Sequence, residues 1–254
     1  MTDSRTASLP DICAVALAEC FRGDGEIVAN PIGPLPVIGG RLARATFAPD
    51  LMMTDGGALL IADDAAFEWT EGPTVEAYNP YRSMFEVCWG GRRHVVMGAV
   101  QLDAHGNQNL AAVGSDYARP TTQFVGFRGA PGNTINHATS YWIPNHSTRV
   151  FVETVDVVTG VGWHAFADDD AAGRLVDLRR VVTNLCVLDW DSPDRRLRLR
   201  SLHPGVTVDQ VVAATGFELV VPDDVPITRL PTAAELDLLE VIDPTGVRAN
   251  QVRQ

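Results

Sequence analysis

The sequence predicts an α/β fold built on a largely parallel sheet that is covered by helices. Three observations predict it. Several apolar runs are continuous rather than alternating, as strands buried on both faces require. Segments of helical spacing lie between some of these runs. Clusters of glycine stand at or just beyond the ends of the runs, where the chain must turn sharply.

Taken in order, Asp11 to Arg22 spaces Ile12, Val15, Ala16, Leu17 and Cys20 at helical intervals, with Ser8 or Asp11 as its N-cap. Gly23 and Gly25 stop that helix, and Glu26 to Ala29 reads as a buried strand ending at Asn30-Pro31. A helix-like stretch then runs through Ala48. Leu51 to Thr54 reads as a strand meeting Asp55-Gly56-Gly57, after which the chain resumes as Ala58 to Ile61. Asp63 to Met84, with two prolines and no steady period, reads as a loop-rich excursion. Further strands are predicted at His94 to Val100, Thr122 to Phe127, Arg149 to Val155, Arg180 to Leu188 and Arg196 to Leu202. Thr207 caps a short helix ending at Thr215-Gly216, and Ala233 to Ile242 forms a last helix after Pro231-Thr232.

A chain of 254 residues with 46% hydrophobic residues buries a large core, and one domain spanning 1–254 is the expectation. The formal charge of −12 argues against nucleic acid or an anionic membrane surface as partner. Cys13, Cys20, Cys88 and Cys186 show neither CxxC spacing nor the density of a disulfide scaffold, so reduced thiols and a cytoplasmic location are expected. No apolar run approaches the roughly 20 residues that span a bilayer.

Three glycine-centred clusters carry the functional signal: Thr54 to Gly57, Gly98 to Asn109, and Gly126 to Asn133. Any one alone reads as a tight turn. Together they mark a sheet edge where glycine lets backbone N–H groups approach a ligand and stabilise a developing oxyanion. Neither GxxxxGK[ST] nor GxGxxG occurs, which argues against nucleotide binding in those ways. The six histidines are scattered without HExxH, so no metal site is expected. No GxSxG elbow marks a nucleophilic serine. Asp168-Asp169-Asp170 reads as a solvated loop, and Arg92-Arg93 as a charged turn from which one arginine could meet a CoA phosphate.

These clusters, in this order, resemble the β-type subunit of class I coenzyme A-transferases over nearly the whole chain. In that family a strand leads into a Ser-Glu-Asn-Gly-type turn with the glutamate nucleophile, which Thr54-Asp55-Gly56-Gly57 resembles. The family's LGAxQVDxxGNxN signature is similar to Met97 through Asn109, and a later Gly-Pro-Gly-Gly-type loop is matched loosely by Arg128 to Asn133. Val181 to Val187, Pro204 to Val208, Thr215-Gly216 and Ile242 to Pro244 also fit. Within the family, the Asp-Gly-Gly turn, the Trp-rich middle segment and the Arg-Gly-Ala-Pro-Gly-Asn loop most resemble the β subunits of ring-opening hydrolases of bacterial steroid catabolism.

The resemblance implies an α/β sheet of the CoA-transferase type and an α₂β₂ assembly with an unlike α-type subunit that carries the key glutamate. It implies an acyl-CoA substrate, with coenzyme A entering as part of that substrate and no other cofactor. Its site residues would be Asp55, Gln101 and Asn133 in catalytic roles, with Gly56, Gly57, Arg128, Gly129 and Gly132 binding substrate. Asp55 is the departure. Aspartate is one methylene shorter than the transferase glutamate, and a displacement of about 1 Å costs on the order of a hundredfold in rate. An activated aspartyl thioester before glycine is also open to attack by the next backbone amide. Hydrolysis without a covalent acyl-enzyme is therefore the leading reading. A true CoA-transferase β subunit for a small oxo or dicarboxylic acid, a non-catalytic scaffold for an α subunit, and Asp55 as a mere turn residue stay open.

Overall fold

The computed structural model describes residues 6–54, 59–62, 74–124, 126, 129–165, 171 and 173–252. Helix α1 (Leu9–Ala18) opens on a capping box in which the Ser8 hydroxyl accepts the Asp11 amide and the Asp11 carboxylate accepts the Ser8 amide. Ser8 is thus the cap and Asp11 its reciprocal partner. Strand β1 (Ile27–Pro31), helix α2 (Pro34–Thr46) and strands β2 (Leu51–Thr54) and β3 (Leu59–Ile61) follow as the apolar runs predict. Then come β4 (Val75–Tyr78), α3 (Tyr81–Gly90) and β5 (Arg93–Met97). Two short ribbons pair β6 (Gln101–Leu102) with β7 (Gln108–Asn109) and β8 (Ala112–Val113) with β9 (Thr122–Gln123). The rest is α4 (Ala130–Asn136), β10 (Ala138–Ile143), β11 (Asp177–Thr183), β12 (Cys186–Asp189), β13 (Arg198–Leu202), α5 (Val208–Ala213) and α6 (Ala233–Ile242).

Nine strands join in the order β13-β12-β11-β10-β5-β1-β2-β3-β4. The middle five, from β11 to β2, run parallel, and an antiparallel pair extends each edge. Neighbouring residues of the central strands enter opposite cores. Val96, Trp142, Val182 and Val187 meet α1, α2 and α6, whereas Val95, Tyr141, Val181 and Leu188 join Leu102, Phe151, Val211 and Phe217. This two-sided burial is the reason the strands read as continuous apolar runs. Helices α1 and α2 touch so closely that a Cβ on Gly39 would lie 2.7 Å from Leu17 Cβ and 3.0 Å from the Ala14 carbonyl oxygen.

Several expectations are corrected. Arg149 to Val155 is not a strand: Val150 and Phe151 both donate to the Ser147 carbonyl, and Phe151 makes only an isolated bridge to Leu102. Its apolar residues serve the core, with the Phe151 ring stacked on His146 at 4.1 Å. Arg180 to Leu188 is two antiparallel strands, turned where the Thr183 hydroxyl accepts the amides of Leu185 and Cys186. The strand expected from His94 to Val100 ends at Met97, and among the described residues of Thr122 to Phe127 the strand is β9. The excursion expected as loop holds β4 and the start of α3, while its residues 63–73 lie outside the described residues, as do Phe127 and Asp168 to Asp170. The third glycine cluster leads into helix α4 rather than a loop, and β10, in the middle of the sheet, was not anticipated.

Candidate active site

The carboxyl ends of β1, β2 and β5 lie together, because β1 pairs in parallel with both neighbours. Continuing the register Val28↔Met52 sets Thr54 beside Asn30. Asp55, Gly56 and Gly57, which follow Thr54, lie outside the described residues, as does Arg128. The other predicted site residues can be placed.

Gln101 belongs to the most specific motif, and that motif is a knot of internal hydrogen bonds in which His105 Nδ1 and Gln108 Oε1 are left without a partner among the described residues. The Gln101 side-chain oxygen accepts from Asn109 at 2.7 Å and from the Asp156 amide at 2.9 Å, while its amide nitrogen donates to the Asp156 carboxylate at 3.1 Å. Asp103 accepts the amides of His105 and Asn107, both at 3.0 Å, and the Asn107 side chain at 2.6 Å. Gly106 turns the chain between them at φ 88°, and a Cβ there would lie 2.5 Å from Leu178. Gln108 donates to the Gly98 carbonyl at 2.6 Å. Buried polar groups bonded in this way lock the excursion onto the end of β5. Gln101 is thus engaged by Asn109 and Asp156 within the chain.

Asn133 sits on α4 with its side chain buried. Its amide nitrogen donates to Met97 Sδ at 3.4 Å and its oxygen accepts from Arg93 Nη2. Arg93 Nη1 donates to the Asn30 side chain at 3.1 Å, so one guanidinium ties β1, β5 and α4 together. Burial pulls the Arg93 pKa below its ordinary value, with the nearby Cys88 thiol only partly opposing. Its Nε is buried and has no partner among the described residues. His137, just after α4, donates from Nε2 to the Cys88 carbonyl at 3.1 Å, and burial together with the Arg93 charge holds its pKa down to about 4. Gly129 and Gly132 face a cavity of about 670 Å³ between α3 and α4, lined also by Phe85, Cys88, Trp89 and Ile135.

Sequence reasoning took Arg93 as part of a charged turn and missed the role of Asn30 and the α3–α4 cavity. Arg92 is exposed, but Arg93 is the first residue of β5 and buried, so the pair is not a charged turn. The available signal was its position at the head of an apolar run.

A second polar constellation lies on the opposite face. Asp24 accepts from His94 Nδ1 at 2.7 Å, and His94 Nε2 stands 3.0 Å from Ser140 Oγ. This has the connectivity of a catalytic triad. Ser140 and His94 are fully buried, however, and Phe21 covers His94 at 4.9 Å. Burial lowers the His94 pKa against the pull of Asp24, so the neutral ring takes the Ser140 hydroxyl as donor. The chain Asp24–His94–Ser140 is a tether from β5 to β10 and not a nucleophile. Among the described residues no group of three or more His, Cys, Asp or Glu is arranged to hold a metal, and no helix is long and apolar enough to cross a membrane.

The chain thus combines a parallel sheet, the sequence Asp55-Gly56-Gly57 directly after one central strand and a hydrogen-bonded polar knot after another, and residues 73–214 match the coenzyme A transferase family. The chain belongs to that family. It is 51% identical over 243 residues, 95% of each chain, to the cholesterol ring-cleaving hydrolase IpdB subunit of Rhodococcus jostii (strain RHA1). The crystal structure of Rhodococcus jostii RHA1 IpdAB superposes with a TM-score of 0.94 at 49% identity, covering 98% of this chain and 100% of that one. A 3-oxoadipate CoA-transferase subunit of Pseudomonas knackmussii is 30% identical over 92% of this chain and 89% of that protein.

Proposed function

We propose that this chain is the β-type subunit of a heteromeric hydrolase that opens the ring of a steroid-derived cyclic β-keto acyl-CoA by carbon–carbon bond hydrolysis. The observation that carries the reading is the near-complete, 51% identical match to a cholesterol ring-cleaving subunit together with the TM-score of 0.94 to one chain of the Rhodococcus jostii RHA1 IpdAB crystal structure. An unlike α-type subunit completes the enzyme as α₂β₂ and supplies the key glutamate. The four free cysteines accord with a reducing, cytoplasmic setting.

The chemistry asks little of a covalent catalyst. Water adds to the ring ketone, the bond to the carbon α to the thioester breaks, and the electron pair enters the thioester as an enolate, which a proton then quenches. One oxygen and one hydrogen of water end on the new carboxylic acid, and the second hydrogen ends on carbon. A general base and donors for the enolate oxygen suffice, and coenzyme A takes part only as a portion of the substrate. In this reading Asp55 orients water or the partner's carboxylate, Gly56, Gly57, Gly129 and Gly132 bring backbone close to the thioester, Arg128 meets the coenzyme, and Gln101 and Asn133 hold the surrounding frame.

The test is co-expression with the α-type subunit and incubation with a cyclic β-keto acyl-CoA from the last steroid rings. A product heavier by one water, with the thioester retained, is expected. Borohydride added during turnover traps a reducible glutamyl thioester in a transferase and nothing in a hydrolase; trapping with CoA exchange onto a small acid would sink the hydrolase reading. Asp55→Asn should lose tenfold or more in kcat, and wild-type activity would reduce Asp55 to a turn residue.

A further inference from the structure

Arg93 presents a buried positive charge that no carboxylate among the described residues matches, the Cys88 thiol beside it opposing the effect of burial only in part. It is 6% exposed, yet its guanidinium donates to the neutral amide oxygens of Asn30 and Asn133, and its Nε meets no acceptor among the described residues. A buried cation without a counter-charge is strongly disfavoured. The local field is further visible at His137, whose protonation Arg93 resists. Asn30 and Asn133 fix the plane of the guanidinium from two sides without neutralising it. Gly129, which caps α4, and Gly132, next to Asn133, open onto the apolar cavity beside Phe85 and Trp89. A fixed positive potential next to an apolar cavity suits a molecule with a hydrocarbon body and an anionic oxygen.

We propose that Arg93 is the resident counter-charge for an anionic oxygen that the described residues do not supply, and that it positions that anion beside the α3–α4 cavity. The inference rests on the ring-opening reading above. Two sources have the required chemistry: the carboxylate of the α-type subunit, present before substrate binds, and the enolate oxygen that develops on the acyl thioester. Arg93 is a positioning residue, acting through its field on either.

The experiment compares three complexes assembled with the α-type subunit: wild type, Arg93→Met and Asn133→Asp. Asn133→Asp is nearly isosteric and delivers a carboxylate to Arg93. Its melting temperature should rise by a few degrees and its kcat should fall tenfold or more, because the charge is then spent internally. Arg93→Met should lose about a hundredfold in kcat, within the range for a lost electrostatic stabiliser. If the anion is the partner's carboxylate, Arg93→Met also weakens subunit association tenfold or more and moves the acid limb of the kcat/KM profile to higher pH. If it is the enolate, association and the acid limb stay put and KM changes by less than about threefold while kcat falls. Arg93→Met with wild-type kcat and association overturns the proposal, as does Asn133→Asp with a lowered melting temperature. The melting arm needs no substrate. It therefore tests the unmatched charge even if Arg93→Met does not fold or the wild-type complex opens no ring, the latter result counting against the ring-opening reading alone.

Discussion

Arg93 and Arg248 are buried to nearly the same depth, 6% and 7% exposed, but their surroundings are opposite. Arg248 stands where α1, α6 and the C-terminal turn meet. It donates to Asp11 at 2.8 Å, to Asp243 at 3.0 Å and to Glu240. Burial works against its charge, yet the bonds from Asp11, Glu240 and Asp243 outweigh that and raise its pKa above the ordinary value. Arg93, with neutral amide partners, has its pKa moved the other way. The difference separates a charge that closes a fold from one held ready for something else, and burial alone does not distinguish them.

The comparison breaks most directly at Arg248. Arg248→Met leaves Asp11 and Asp243 buried without their cation, and a loss of about 3–5 kcal/mol in unfolding free energy is expected by denaturant titration. Arg93→Met should stay within about 1 kcal/mol of wild type, because a desolvated, unmatched charge is removed along with two neutral hydrogen bonds. Equal losses at the two positions would erase the distinction.

Proton linkage sharpens it. His137 keeps a folded pKa of about 4, below its unfolded value near 6.5, so the unfolded chain binds the proton first as pH falls. The stability contributed by the neutral ring is complete above about pH 6.5 and is lost as pH drops toward 4, by on the order of 2 kcal/mol. Asp11 behaves otherwise: its folded pKa is lowered, burial opposing and the bonds from Ser8 and Arg248 prevailing, so its contribution persists down to the carboxylate range. Unfolding free energies of wild type and His137→Gln between pH 7 and 4 check this. The variant should lack the upper part of the slope.

The smallest effect is expected at the start of α1. Ser8→Ala removes the capping hydroxyl and one anchor of Asp11, which should cost about 1 kcal/mol in the same titration. A loss matching that of Arg248→Met would mean that the cap, and not the buried ion pairs, closes this corner.

Much of this architecture was legible in the chain. Ser8, Thr207 and Thr232 announce α1, α5 and α6, since each closes a capping box with a side chain three residues on. The runs at β1 and β2 were readable as apolar stretches, and β13 as an edge strand buried at Leu199 and Leu202 and open at Arg200. Strand β10 was not, as His137, Thr139 and Ser140 give it a polar opening whose partners, Asn133 and His94, come from other elements. The same limit applied to the site. Glycine clusters reported where the backbone turns, which is local, but the status of Arg93 depends on which oxygens tertiary packing brings to it. Two adjacent arginines look alike until one is folded inward.

The reach of Arg248 also bears on synthesis. It meets Asp11 across 237 residues of sequence, so the carboxylate at the head of α1 leaves the ribosome long before its cation exists. Domains form as units while the N-terminal part waits. Helix α1 can coil and cap itself early, but its docking corner is completed only once Arg248 has been made. A chain cut short just before Arg248 would retain every strand of the sheet and still lack the latch on its first helix.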